Sequence, residues 1–299
     1  FVLSATIAVY LWRLEETRQL ITDVMVPFLK DPILSGPSAT MVISWAAVVG
    51  VIITVCAIMG SSNAVNFTDG LDGLAVGSVL IVSMVFYVFT YIAGHTELAR
   101  ELYVPAVSGA GELSVVCAGM MGACLGFLWF NCFPARVFMG DTGSLLIGFL
   151  LGETALEVSG AIGGAAGVST ALLLVAVPCF EGVFLILIRI AKVTMPSVAT
   201  YDHPTQRLIQ AGCSIRSAVL KMYALTAILA FVSVVVWQSD ANALVGLVLG
   251  LTALLATGIW LGRVAPVPAR WVTAGSAARY MYDCVAVHGC SVGQRRRCQ

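Results

Sequence analysis

Charge is scarce in this chain. Only 11% of its 299 residues are Asp, Glu, Lys or Arg, and sixteen bases balance sixteen acids. No basic stripe stands out, so nothing points to nucleic acid as a partner. Histidine is rarer still, at three residues, and the nine cysteines include no Cys-x-x-Cys pair of the kind that holds zinc. Cys56, Cys117, Cys124, Cys132 and Cys179 fall in apolar stretches, where cysteine behaves as a small hydrophobe. Cys213 stands alone, and Cys284, Cys290 and Cys298 lie in a polar tail. Internal repeats and low-complexity linkers are lacking, which argues for one bundle. The first residue is Phe1, inside an apolar run, so no signal peptide is read into residues 1–12 and the chain is expected to be an N-terminally incomplete gene product.

Apolar residues fill the space that charge leaves. They make up 59% of the chain, and the mean hydropathy of +0.95 is far above that of soluble domains. A helix needs about 20 apolar residues to cross a bilayer. Such windows lie near 40–60, 75–94, 113–132, 144–158 (short), 168–191, 216–237 and 242–262, with 1–12 as the tail of one more. The expected fold class is all-α: a polytopic membrane bundle with about eight spans, residues 1–262 forming one unit and 263–299 a cytoplasmic tail. Gly50, Gly122, Gly126, Gly148 and Gly152 within the spans predict close helix–helix approach. Threading the spans in order puts 61–74, 133–143, 193–215 and the tail on one side. Twelve of the sixteen basic residues then fall on or beside that side, the bias of a cytoplasmic face.

Three polar stretches interrupt the apolar background, and all emerge on that face. The first is Asn63-Ala-Val-Asn66-Phe-Thr-Asp69-Gly70-Leu71-Asp72-Gly73; the second is Phe138-Met-Gly140-Asp141-Thr-Gly143-Ser144. Acids at a membrane boundary with few bases beside them repel one another unless a cation meets them. Mg²⁺ is held by one or two carboxylates plus substrate phosphates, and the amide oxygens of Asn66 and Asn131 could complete its shell. The same residues also suit helix caps, with Asp and Asn at N-termini and Gly at C-termini, and that reading stays open for each one alone. The third stretch, Asp202-His203-Pro204-Thr205-Gln206-Arg207, could present His203 and Arg207 to a diphosphate or nucleotide. Glu181, in mid-span beside Pro178, needs a partner or a wet cavity. A hydrogen-bonded brace at a proline kink is the expectation there.

These stretches, with Gly126-Phe-Leu-Trp-Phe-Asn131 and Pro134-Ala-Arg-Val-Phe138, make the chain similar to the polyprenyl-phosphate N-acetylhexosamine-1-phosphate transferases. Over about residues 1–260 it most resembles the branch that transfers phospho-N-acetylmuramoyl-pentapeptide. The resemblance implies a ten-helix bundle in the bacterial inner membrane, compatible with a homodimer, with its site facing the cytoplasm. It implies Mg²⁺-dependent transfer of a phospho-sugar from a UDP-activated amino sugar to undecaprenyl phosphate, with release of UMP. By motif, Asp141 and Asn66 would hold the metal, with Asp69 beside metal and diphosphate. Gly70, Leu71 and Asp72 would contact uracil, Phe138 would stack on it, and Asn131 would line the pocket. His203 would stand in the family's histidine loop, with Arg207 near it; Asp69, Asp72, Asp141 and His203 are the catalytic candidates.

Two departures follow. The family's paired aspartates, followed by a lysine, would precede residue 1, so a non-catalytic membrane scaffold stays open as a reading. His203-Pro-Thr-Gln206 replaces three consecutive histidines and is closer to the branch that transfers N-acetylglucosamine-1-phosphate.

Overall fold

The computed structural model describes residues 2–13, 45–102, 106–107, 109–191, 203–237 and 240–264. Among them the regular elements are all helices, without strands; a helix satisfies its own backbone inside a bilayer, and apolar runs of this length suit it. The helices are α1 (Val2–Arg13), α2 (Trp45–Thr68), α3 (Leu74–Gly94), α4 (Thr96–Glu101), α5 (Ala110–Asn131), α6 (Gly140–Ile162), α7 (Gly164–Leu174), α8 (Ala176–Ala191), α9 (Pro204–Gln210), α10 (Ile215–Trp237) and α11 (Asp240–Val264). Six are long and apolar enough to cross a membrane within Val48–Thr68, Leu74–Gly94, Ala110–Asn131, Gly140–Ile162, Ile215–Trp237 and Ala243–Arg263. Residues 166–174 and 176–188 add a seventh span if the pair, bent by 66°, counts as one. The protein is a multi-pass helical membrane protein. Residues 265–299, which include most of the expected tail, lie outside the described residues.

Two boundaries differ from the sequence reading. The span expected over 40–60 runs instead to Thr68, so the first half of the polar stretch is the last two turns of α2. That extension depends on α6, more than eighty residues away. Ser61 Oγ donates to the Gly148 carbonyl at 2.8 Å, and Ser62 Oγ to the Leu145 carbonyl at 2.8 Å. Asn63 Nδ2 and Thr68 Oγ1 donate back to Met59 and Ala64 within the same helix. With its polar groups satisfied this way, the helix continues at little cost. The expected 144–158 span is likewise longer, because α6 starts at Gly140 and carries Asp141 in its first turn.

The glycine expectation divides. A Cβ at Gly148 would sit 2.8 Å from Ser62 Cα, and one at Gly152 would sit 2.9 Å from Ser61 Cβ, so these two do set the α2–α6 approach. Gly122 and Gly126 meet nothing within 4 Å among the described residues and do not mark a helix crossing there. Elsewhere α3 packs along α5 and α10, while α7 packs on α10 and α11. One apolar core joins Phe86 and Phe89 to Leu151, Leu174 and Trp237. A second joins Leu74 and Leu173 to Leu208, Leu229 and Leu261.

Candidate functional site

The site is built where α2 ends, α3 begins, α5 ends and α6 begins. Three hydrogen bonds tie these tips together. Ser144 Oγ, in the first turns of α6, donates to Asn66 Oδ1 of α2 at 2.6 Å. The Ala135 backbone N–H, in the turn after α5, donates to Asp72 Oδ2 at 2.9 Å. The Gly73 N–H donates to Asn131 Oδ1 at 3.0 Å. The two acidic stretches, about seventy residues apart in the chain, therefore meet at one end of the bundle.

Gly73 is the node of this arrangement. At φ 80° it lies in the left-handed region, where a side chain is strained, and it opens α3. Besides its bond to Asn131, its carbonyl accepts from the Tyr223 hydroxyl of α10 at 2.6 Å. One turn on, Gly77 leaves room for the Tyr223 ring, which a Cβ there would overlap. Tyr223 and Ser144 are positioning residues that the motif reading left out. No local pattern announces Tyr223, whose partner lies 150 residues away.

The three acids also act on one another electrostatically. Asp69 is half-buried, and its carboxyl is pushed above the ordinary 3.8 by that burial, then by the Asp141 carboxylate, then by Asp72. Asp141 itself is exposed on the first turn of α6, as is Arg136 in the preceding loop. Phe138 is 67% exposed, leaving its ring free to stack on a planar ligand. Gly70 is exposed, whereas Leu71 is partly buried and packs against the core around Leu74 and Leu208.

Asn131 is 2% exposed, and both amide ends are engaged: Oδ1 accepts from Gly73 and Nδ2 donates to the Val137 carbonyl at 2.9 Å. It shapes the pocket by fixing the two loops on either side. Asn66 gives one lone pair of its amide oxygen to Ser144 and keeps the other.

The third stretch is placed differently from expectation. Residues 192–202, including Asp202, lie outside the described residues. His203 precedes α9, half-buried, and its backbone N–H donates to Gln206 Oε1 at 3.4 Å. Arg207 was expected beside a substrate and instead turns inward. It is 3% exposed, its Nη1 donates to the Leu261 carbonyl near the end of α11 at 3.2 Å, and its guanidinium stands 5.4 Å from the centre of the Phe184 ring. The unsatisfied carbonyls at a helix C-terminus and an aromatic face together hold a guanidinium better than an open loop does. Glu181 is fully buried in α8, and neither carboxylate oxygen has a hydrogen-bond partner among the described residues. The Thr68 hydroxyl, at the end of α2, stands beside it and also donates to the Ala64 carbonyl, so the polar neighbour of Glu181 comes from another helix.

The fold and this end of the bundle define a polytopic membrane protein with an acidic cluster between four helix tips. The model of glycosyl transferase family 4 matches residues 1–159, and the chain belongs to that family. It is 49% identical over 141 residues to the phospho-N-acetylmuramoyl-pentapeptide-transferase of Methylacidiphilum infernorum, a match covering 47% of this chain and 36% of that protein. It is 52% identical over 108 residues to the protein of that name from Desulfotalea psychrophila, covering 36% and 30%. The one from Pelobacter propionicus is 59% identical over 99 residues, covering 33% and 28%. The matched stretch thus spans about a third of the length of these curated relatives.

Relieving the acidic repulsion gives a testable consequence for stability. Because the Asp69 carboxyl is raised in the folded protein, its ionisation opposes folding. The handicap is absent below pH 3.8 and grows as pH rises through the folded-state value. With a chelator present, Asp69→Asn is expected to unfold at a higher temperature than wild type at neutral pH. Mg²⁺ is expected to raise the wild-type unfolding temperature and to leave the variant's nearly unchanged. Thermal unfolding in detergent, with and without Mg²⁺, checks both.

Proposed function

We propose that the protein transfers phospho-N-acetylmuramoyl-pentapeptide from its UDP-sugar to undecaprenyl phosphate, forming lipid I and UMP for peptidoglycan synthesis. The observation that carries this reading is the meeting of Asp69, Asp72 and Asp141 at hydrogen-bonded helix tips in a chain of this family. The basic bias of the sequence supports a cytoplasmic position for those tips at a bacterial inner membrane.

Among the described residues no three His, Cys, Asp or Glu side chains form a ready metal cage. That suits Mg²⁺, which keeps waters and binds through one or two carboxylates plus substrate phosphates. The residues fit: Asp141 and Asp69 with the remaining lone pair of Asn66 would hold the cation, and their mutual repulsion is what such an ion relieves. When bound, Mg²⁺ supplies neutralisation of the diphosphate charge. An oxygen of the lipid phosphate attacks the β-phosphorus, forming a new P–O bond. The bond from that phosphorus to the bridging oxygen breaks, and UMP leaves with that oxygen. Phe138 stacks on uracil, and the Gly70–Leu71 backbone with the free Oδ1 of Asp72 reads its edge. The Asn131–Gly73–Tyr223 chain holds these groups still, since positioning is most of what such a reaction needs. His203 stands on the third stretch as a donor toward phosphate.

One observation favours a second reading. The third stretch carries a single histidine, and Arg207, buried against α11, is no longer available to a substrate there. That weakens the part of the pocket meant for a muramoyl-peptide arm and favours transfer of N-acetylglucosamine-1-phosphate for a surface polysaccharide. Supplying full-length protein with both UDP-sugars and undecaprenyl phosphate, then weighing the lipid product, decides between them. A product carrying phospho-MurNAc-pentapeptide is expected. A product carrying only N-acetylglucosamine overturns the primary reading, and no product from either sugar favours the scaffold.

A further inference from the structure

A second cavity lies at the opposite end of the bundle from the acidic cleft. Its volume is about 420 Å³, and it opens between the C-terminal turns of α3 and α6, the start of α5 and the end of α10. Helix α3 runs from Leu74, beside the cleft, to Thr90, which lines the cavity. Sixteen residues at 1.5 Å each separate the two sites by about 24 Å.

We propose that this cavity binds amphiphilic organic ammonium compounds. Its walls are largely apolar, and among the described residues that line it Glu112 and Glu157 are the charged ones. Two carboxylates at one apolar cavity, with no described cation lining it, disfavour an anion and favour a positive charge. The aromatic wall says which kind. Phe89 and Trp237 pack with ring centres 4.5 Å apart, and both line the cavity. An indole face is the strongest aromatic partner for an organic cation. Trp237 is also only 7% exposed, and its indole N–H has no hydrogen-bond partner among the described residues. A buried donor without a partner is the mark of a site that expects an acceptor on its ligand.

One turn closer to the bilayer centre, Glu153 on α6 has a buried carboxylate oxygen that is likewise unpartnered. A bare metal ion is the poorer occupant, because no metal-holding cluster forms among the described residues and aromatic walls contribute nothing to a hydrated ion. The ligand is then an ammonium group joined to an apolar body, with an oxygen able to accept from Trp237. The ammonium headgroup of phosphatidylethanolamine and a soluble amphiphilic amine both have this chemistry.

The test titrates the purified full-length protein, in a neutral detergent, with octyltrimethylammonium and with octanol, followed by calorimetry. Saturable binding of the ammonium is expected, at least about tenfold tighter than octanol. The Glu112→Gln/Glu157→Gln pair is expected to remove that preference, and Trp237→Phe to weaken binding severalfold. Glu157→Gln alone, expected to give an intermediate loss, serves if the double variant fails to fold. Equal affinity for octanol, or unchanged ammonium binding in the glutamine variants, overturns the proposal. Repeating the titration in vesicles of phosphatidylethanolamine and of phosphatidylglycerol separates the sources. Competition by the first lipid alone assigns the headgroup, and insensitivity to lipid assigns a soluble amine. Neither result depends on phosphotransferase activity.

Discussion

Replacing Asp141 by Asn in the full-length protein is expected to lower UMP release by about a hundredfold or more. Asp141 is exposed on the first turn of α6, and its charge acts on Asp69. Its substitution alters no packed surface, so helicity and unfolding temperature should change little. What would be lost is the negative charge proposed to hold the cation. Removing one preorganised electrostatic contact from such a site costs about 3–4 kcal/mol of transition-state stabilisation. The measurement is UMP release against Mg²⁺ concentration. Near-normal turnover by the variant at low Mg²⁺ would reject the role given to Asp141.

Asn131→Leu is expected to do damage of a different kind. Leucine has similar bulk, but it leaves the buried Gly73 N–H and the part-buried Val137 carbonyl without their partners. Each unsatisfied group costs about 1–3 kcal/mol. The loops carrying Asp72 and Phe138 would then lose the tie between them. Lower unfolding temperature together with at least a tenfold loss of UMP release is expected. Asn131→Asp, which keeps the acceptor for Gly73 but loses the donor to Val137, should fall between. An Asn131→Leu protein with wild-type stability and rate would show that the clamp is not what positions the loops.

How far the sequence reached is clearest residue by residue. Asp69, Asp72 and Asp141 were legible because acids stand out against an apolar background, and the span order put them on one face. The spans themselves followed from length and hydropathy alone. The continuation of α2 through Ser61–Thr68 was not legible, because the groups that satisfy its serines are carbonyls of α6. Arg207 looked like a ligand-binding residue because its loop is polar. Its actual partners, the Leu261 carbonyl and the Phe184 ring, are fixed only by how α8 and α11 pack around α9. The bond between Tyr223 and Gly73 leaves no periodic or motif signal, since it joins two helices distant in the chain.

The central claim is that two distant acidic stretches make one cation site. Mn²⁺ takes the same oxygen ligands as Mg²⁺ and reports its binding by electron paramagnetic resonance. Titrated into the metal-free full-length protein, Mn²⁺ is expected to fill one tight site per chain. Asp69→Asn and Asp141→Asn, each from a different stretch, should both weaken that same site, and Mg²⁺ should displace the Mn²⁺. Tight binding that survives either substitution, or two sites each lost in only one variant, would contradict a shared cleft.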